Sequence, residues 1–189
     1  MGAGHSQYVL LVIDVQDRLI ETISEYRSVV RNIQALIKAA QVLGVPILAS
    51  EQEKLGETVP ELKSLLLNIV PYRKLSFSCC RESDFMKKLC QMRNRTAIAC
   101  GIETHICVLQ TVLDLLKRRY RVQVVKDASS SHTVTDHETA IERMKNAGAI
   151  ITSTEATIYE LTERAGTEEF KKILEIVKER RSTSSQSKA

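Results

Sequence analysis

The segment Val9–Ile13, VLLVI, closed by Asp14, decides how the rest of the chain is read. An unbroken apolar run this short, ended by a charge, suits a strand covered on both faces. Residues 24–43 follow, carrying Val29, Ile33, Leu36, Ile37 and Ala40 at helical spacing, and Gly44 then opens a second strand at 45–49. Strand, helix and strand in that order form a βαβ unit, and the alternation continues to the end of the chain. Outward from it the pattern predicts a helix at 59–67, a strand at 69–74, a helix at 84–92 and a strand at 96–100, TAIAC. A helix starting near His105 presents Val108, Val112, Leu115 and Leu116 on one face and closes on Lys117, Arg118 and Arg119, where positive charge suits its carboxyl end. Residues 121–125 and 149–152 read as strands, and 136–147, 157–164 and 167–179 as helices. The predicted fold is a doubly wound, Rossmann-like three-layer α/β/α domain over residues 1–179, with a central six-stranded parallel sheet. The Ser-rich polar stretch 180–189 has nothing to bury and reads as a disordered tail.

Composition narrows the function classes. At 189 residues, 43% hydrophobic and 26% charged, the chain has the make-up of an ordinary globular domain. Its formal charge of +4 comes from Lys and Arg scattered among acids, and aromatics are only 4% with no Trp, which argues against a nucleic-acid partner. Five cysteines, an odd number with no CxxC pair, disfavour both a disulfide framework and a structural zinc site and point to a reducing, cytoplasmic setting. No stretch has the apolar length of a membrane span. Met1, Gly2 and Ser6 fit a loose myristoylation pattern, and Ser187-Lys188-Ala189 is a peroxisomal-type terminus with the wrong last residue; both are short enough to arise by chance.

In a doubly wound sheet, ligands bind beyond the carboxyl ends of the strands. Three polar residues fall there: Asp14 after the first strand, Lys74 after the third, and Cys107 in the first turn of the helix after the fourth. A cysteine at a helix start beside an ammonium is expected to favour its thiolate, and a carboxylate can take the thiol proton and return it to a leaving amine. Singly, each residue reads as well as a turn former, a surface charge and a small core hydrophobe.

The surrounding residues change that balance. Leu11-Val12-Ile13-Asp14-Val15-Gln16, Tyr72-Arg73-Lys74-Leu75-Ser76-Phe77-Ser78 and Ala99-Cys100-Gly101-Ile102-Glu103-Thr104-His105-Ile106-Cys107-Val108 resemble, in order, three motifs of the isochorismatase-like cysteine hydrolases. The resemblance runs over about residues 8–158 and implies a catalytic Asp14, Lys74 and Cys107, with no cofactor. It also implies a cis peptide between Ile102 and Glu103 and an oxyanion hole from the N–H groups of Glu103 and Cys107. Metal-dependent nicotinamidases of this superfamily carry an Asp and paired His after the second strand, where this chain has Ala49-Ser50-Glu51-Gln52-Glu53, so no metal is expected. Glu51 and Gln52 resemble the Glu-Gln pair of a metal-free branch and are candidate substrate contacts, as is His105, which lies too close in sequence to Cys107 to act as its base.

The expected activity is hydrolysis of a small amide or related C–N bond through a Cys107 thioester. The alternatives are vinyl ether hydrolysis, which needs an acid such as Asp14 but no thiol, and a catalytically idle scaffold; a nuclease is the weakest reading, resting only on the basic pI. The expected partners are a small-molecule substrate and further copies of the chain in a homo-oligomer, with no membrane.

Overall fold

A computed structural model describes residues 7–92 and 95–185. The lipidation-like and peroxisome-like patterns at the two ends lie outside the described residues. The six strands are β1 (Tyr8–Ile13), β2 (Ile47–Gln52), β3 (Tyr72–Lys74), β4 (Thr96–Ile102), β5 (Arg121–Ser130) and β6 (Ile150–Thr152). They form one sheet in the order β3-β2-β1-β4-β5-β6, and every pairing is parallel. The helices are α1 (Asp17–Ile20), α2 (Tyr26–Leu43), α3 (Pro60–Lys63), α4 (Ser83–Gln91), α5 (Leu109–Lys117), α6 (Val134–Asn146), α7 (Thr154–Thr162) and α8 (Glu168–Ser185). This is the three-layer, all-parallel architecture that the alternating pattern predicts.

The opening strand shows why the apolar runs are continuous. Leu10 and Val12 pack into one core with Ile33, Ile37, Ile173 and Val177, while Val9, Leu11 and Ile13 pack into the other with Leu89, Val112 and Leu115. Successive side chains leave opposite faces of a strand, so a sheet covered on both sides needs every position apolar. Helix α2 ends at Gly44, which adopts φ 69° and returns its N–H to the Ala40 carbonyl, the left-handed stop that glycine makes without steric cost.

Beside β1 lies β4, and the direction of winding reverses between them. Ile13 pairs there with Gly101. A Cβ on Gly101 would lie 2.1 Å from the Ile13 carbonyl oxygen, so only glycine lets the two backbones approach this closely. That approach sets the ends of β1 and β4 side by side at the switch point where doubly wound folds bind ligands.

Three boundaries differ from the expected ones. The helix expected at 59–67 is a single turn, Pro60–Lys63, after which Leu66 turns in while Leu67 stays exposed. Strand β5 continues five residues past the expected 125 to Ser130, after a register shift between Ala99 and Gly101 lets it follow β4. Residues 180–185, expected to be disordered, extend α8 instead. The reason is Arg180, which donates to Asn32 Oδ1 at 2.8 Å and to Glu155 Oε2 at 3.2 Å, tying the helix to α2 and α7.

Candidate active site

Asp14, Lys74 and Cys107 come together at the carboxyl edge of the sheet, and all three are buried. Asp14 leaves β1 with φ 51°, a left-handed turn that Asp tolerates better than most side chains. Its Oδ2 lies 2.6 Å from Lys74 Nζ. Lys74 is 2% exposed, and its ammonium also donates to Gln52 Oε1 at 2.6 Å, Ser76 O at 3.2 Å and Phe77 O at 3.0 Å. Burial works against that charge, yet Asp14 and the neighbouring Cys107 and Cys79 sulfurs hold the lysine pKa above its usual value. Lys74 is therefore a fixed cation in a socket of oxygens.

Cys107 does not start a plain α-helix. It lies in a turn of π-helix, Thr104–Val108, that leads into α5. Its Sγ is 3.9 Å from Gln52 Oε1 and it is 6% exposed. The activated thiolate expected from the sequence is not what these surroundings favour. Burial, then the charge of Asp14, push the thiol well above its ordinary value. Lys74 pulls the other way, but its charge is already engaged by Asp14. Burial and the Asp14 charge both favour the neutral thiol at Cys107.

The remaining candidates take different places. The Ile102–Glu103 peptide is cis. Glu103 Oε2 accepts from the His132 N–H at 2.9 Å, which fixes the loop before Cys107. Gln52 touches both Lys74 and Cys107, whereas Glu51 turns aside to accept from the Thr58 N–H and hydroxyl, each at 2.8 Å. Both residues border a cavity of 370 Å³ with Arg18 and Arg73. His105 Nδ1 lies 3.0 Å from Ser131 Oγ, a packing contact beside the loop. A larger cavity of 750 Å³ lies between α2, α3 and α8 and includes none of the three central residues. Among the described residues no three His, Cys, Asp or Glu side chains gather closely enough to hold a metal ion.

Comparison with known proteins identifies the family. Residues 8–156 match the isochorismatase domain model. The chain belongs to the isochorismatase family of hydrolases. It is 38% identical to the secreted isochorismatase effector Isc1 of Phytophthora sojae, over 90% of this chain and 84% of that protein. Human isochorismatase domain-containing protein 2 is 36% identical, over 90% of this chain and 83% of that protein. A solved structure described as the MAR1 ribonuclease of Caenorhabditis elegans superposes with a TM-score of 0.87 at 36% identity, covering 92% of this chain and 90% of that one.

Two further residues of this isochorismatase-family site escaped the reading of the sequence. Ser50 Oγ donates to Asp14 Oδ1 at 2.7 Å. Gln16, two residues past Asp14 and fully buried, takes the Gln52 N–H at 2.8 Å and gives its amide to the carbonyls of Gln52 and Gly56. It thereby fixes the backbone that carries Gln52. The signal for Gln16 was its place in the motif around Asp14; for Ser50, a common residue within a strand, there was none.

Proposed function

We propose that this isochorismatase-family hydrolase cleaves a small amide or related C–N bond through a thioester at Cys107. The observation that carries the reading is Asp14 Oδ2, a buried carboxylate oxygen ion-paired to Lys74 and given no other donor among the described residues, beside a buried thiol that favours its neutral form. In the proposed sequence Asp14 takes the Cys107 proton as sulfur attacks the carbonyl carbon, forming a C–S bond and an oxyanion. The N–H groups of Glu103 and Cys107 receive that oxyanion. Its collapse breaks the C–N bond, and Asp14 passes the proton to the leaving nitrogen. Water then attacks the thioester, giving its proton to Asp14; the acid departs, and the proton returns to sulfur. Lys74 holds Asp14 in place through the ion pair, and Gln52, bridging Lys74 and Cys107, orients the substrate.

The near closure of Cys107 supports a small-molecule substrate. Leu75 and Phe77, exposed next to the Lys74 socket, support a homo-oligomer; light scattering of the purified chain tests it. Ammonia or amine release from a panel of small amides, compared between the protein and Cys107→Ala, tests the reaction. Release that depends on Cys107 is the expected result. Because the C. elegans relative is described as a ribonuclease, RNA belongs in the panel: Cys107-dependent RNA cleavage without amide hydrolysis would replace the proposed reaction.

A further inference from the structure

We propose that Ser50 is a positioning residue for Asp14: its hydroxyl, itself held by the Cys79 thiol, occupies Oδ1 and so reserves Oδ2 for the Cys107 proton. This rests on the reading of Asp14 as the base for Cys107.

Ser50 is bound to Asp14 twice. Its carbonyl accepts the Asp14 N–H at 3.2 Å, and its Oγ donates to Oδ1 at 2.7 Å. A serine hydroxyl has one proton, and once that proton is given to the carboxylate the oxygen can only accept. Cys79 Sγ supplies the donor, at 3.4 Å. The chain of hydrogen bonds therefore has one direction, from Cys79 through Ser50 to Asp14. Cys79 is suited to that end of it: burial and the nearby Asp14 charge push its thiol up to about 11, so it keeps its proton at neutral pH. Its own backbone is fixed by an N–H donated to Thr111 Oγ1 at 3.0 Å.

The consequence is a division of labour between two otherwise equivalent oxygens. Oδ1 is filled from the Ser50 side, and Oδ2 faces Lys74 with no other donor among the described residues. Without Ser50 the carboxylate is free to turn, and it loses the hydrogen bond that fills Oδ1. Its charge, no longer shared with the hydroxyl, then opposes the Cys107 thiolate more strongly.

The test uses the full chain and iodoacetamide as probe, with the rate of Cys107 modification read by site-resolved mass spectrometry at pH 9, beside the urea midpoint of each variant. Ser50→Ala is expected to slow Cys107 modification about tenfold, Ser50→Thr to restore it to within about twofold, and Cys79→Ala to slow it less than Ser50→Ala, with Cys79→Ser restoring it. Thr157→Ala, which removes an equally buried hydroxyl on α7, is expected to lower the urea midpoint without changing the rate. A wild-type rate in Ser50→Ala, or in Cys79→Ala should Ser50→Ala fail to fold, overturns the proposal, as does a rate that merely follows the midpoint across all variants. Asp14→Asn separates the two levels: if it leaves the Cys107 rate unchanged the base itself is misassigned, whereas a changed rate there with a wild-type rate in Ser50→Ala removes only the role of Ser50.

Discussion

Lys74→Met tests the buried ion pair directly, because methionine keeps most of the stem and removes only the charge. At the 2.6 Å separation of Lys74 Nζ and Asp14 Oδ2, Coulomb attraction at an effective dielectric constant of about 20 is about 6 kcal/mol. Desolvation of both groups offsets most of that in the native protein, so the pair itself adds little net stability. Breaking it is another matter. The variant leaves a fully buried carboxylate facing no cation, and such uncompensated charges cost about 3–5 kcal/mol. It also strips the donor from Gln52 Oε1, Ser76 O and Phe77 O. Removing the negative charge as well, in Lys74→Met with Asp14→Asn, is expected to recover more than half of the loss but not all, since those three acceptors stay unsatisfied. Urea unfolding at pH 7 of wild type, both single variants and the double variant measures the cycle. A Lys74→Met protein within about 1 kcal/mol of wild type, or a double variant no more stable than Lys74→Met, would refute the account of the site as a closed ion pair.

Three further outcomes are expected. Asp14→Asn removes the charge that opposes the Cys107 thiolate, so it should speed iodoacetamide modification of Cys107 at pH 9 by about tenfold or more while abolishing turnover; a slower reaction would show that the carboxylate promotes the thiolate. His137 has its pKa lowered, chiefly by burial beside Thr104, so its contribution to stability is complete above the unfolded value near 6.5 and is lost as pH falls through the folded value. Wild type should lose stability between pH 7.5 and pH 5 that His137→Gln does not lose, as read by urea midpoints at both pH values. Arg180→Ala should cost about 1–3 kcal/mol by releasing Asn32 and Glu155, whereas Arg164→Ala, exposed just past the end of α7, should stay within about 0.5 kcal/mol.

Much of this molecule was legible because its strands are buried on both faces: VLLVI and TAIAC need no tertiary information to read as central strands. Asp14, Lys74 and Cys107 were singled out by the order of their motifs, after the first, third and fourth strands. What the residues could not convey is depth. The sequence places an ammonium and a helix start near Cys107, and both favour a thiolate; it does not say that Asp14 has already claimed the ammonium or that the sulfur is shut away from water. Distance was hidden likewise at the carboxyl end, where a run of Arg and Ser looks unable to bury anything until Arg180 is seen to reach Asn32, 148 positions earlier. Ser50 shows the same limit at the scale of one hydroxyl, since nothing local distinguishes a serine that steers a carboxylate from one that fills a strand.

Gly101 carries no functional group, yet the separation of β1 and β4 hangs on it. In a library where every position is changed in turn and survivors are selected for activity, residue 101 should be as barren as 14, 74 or 107. Survivors selected for folding alone would tell the two kinds of position apart: a Cys107→Ala protein can keep its shape, whereas even Gly101→Ala must push the Ile13 carbonyl aside. Comparing the two selections would map this inert hinge point of the proposed catalytic edge without any substrate analogue.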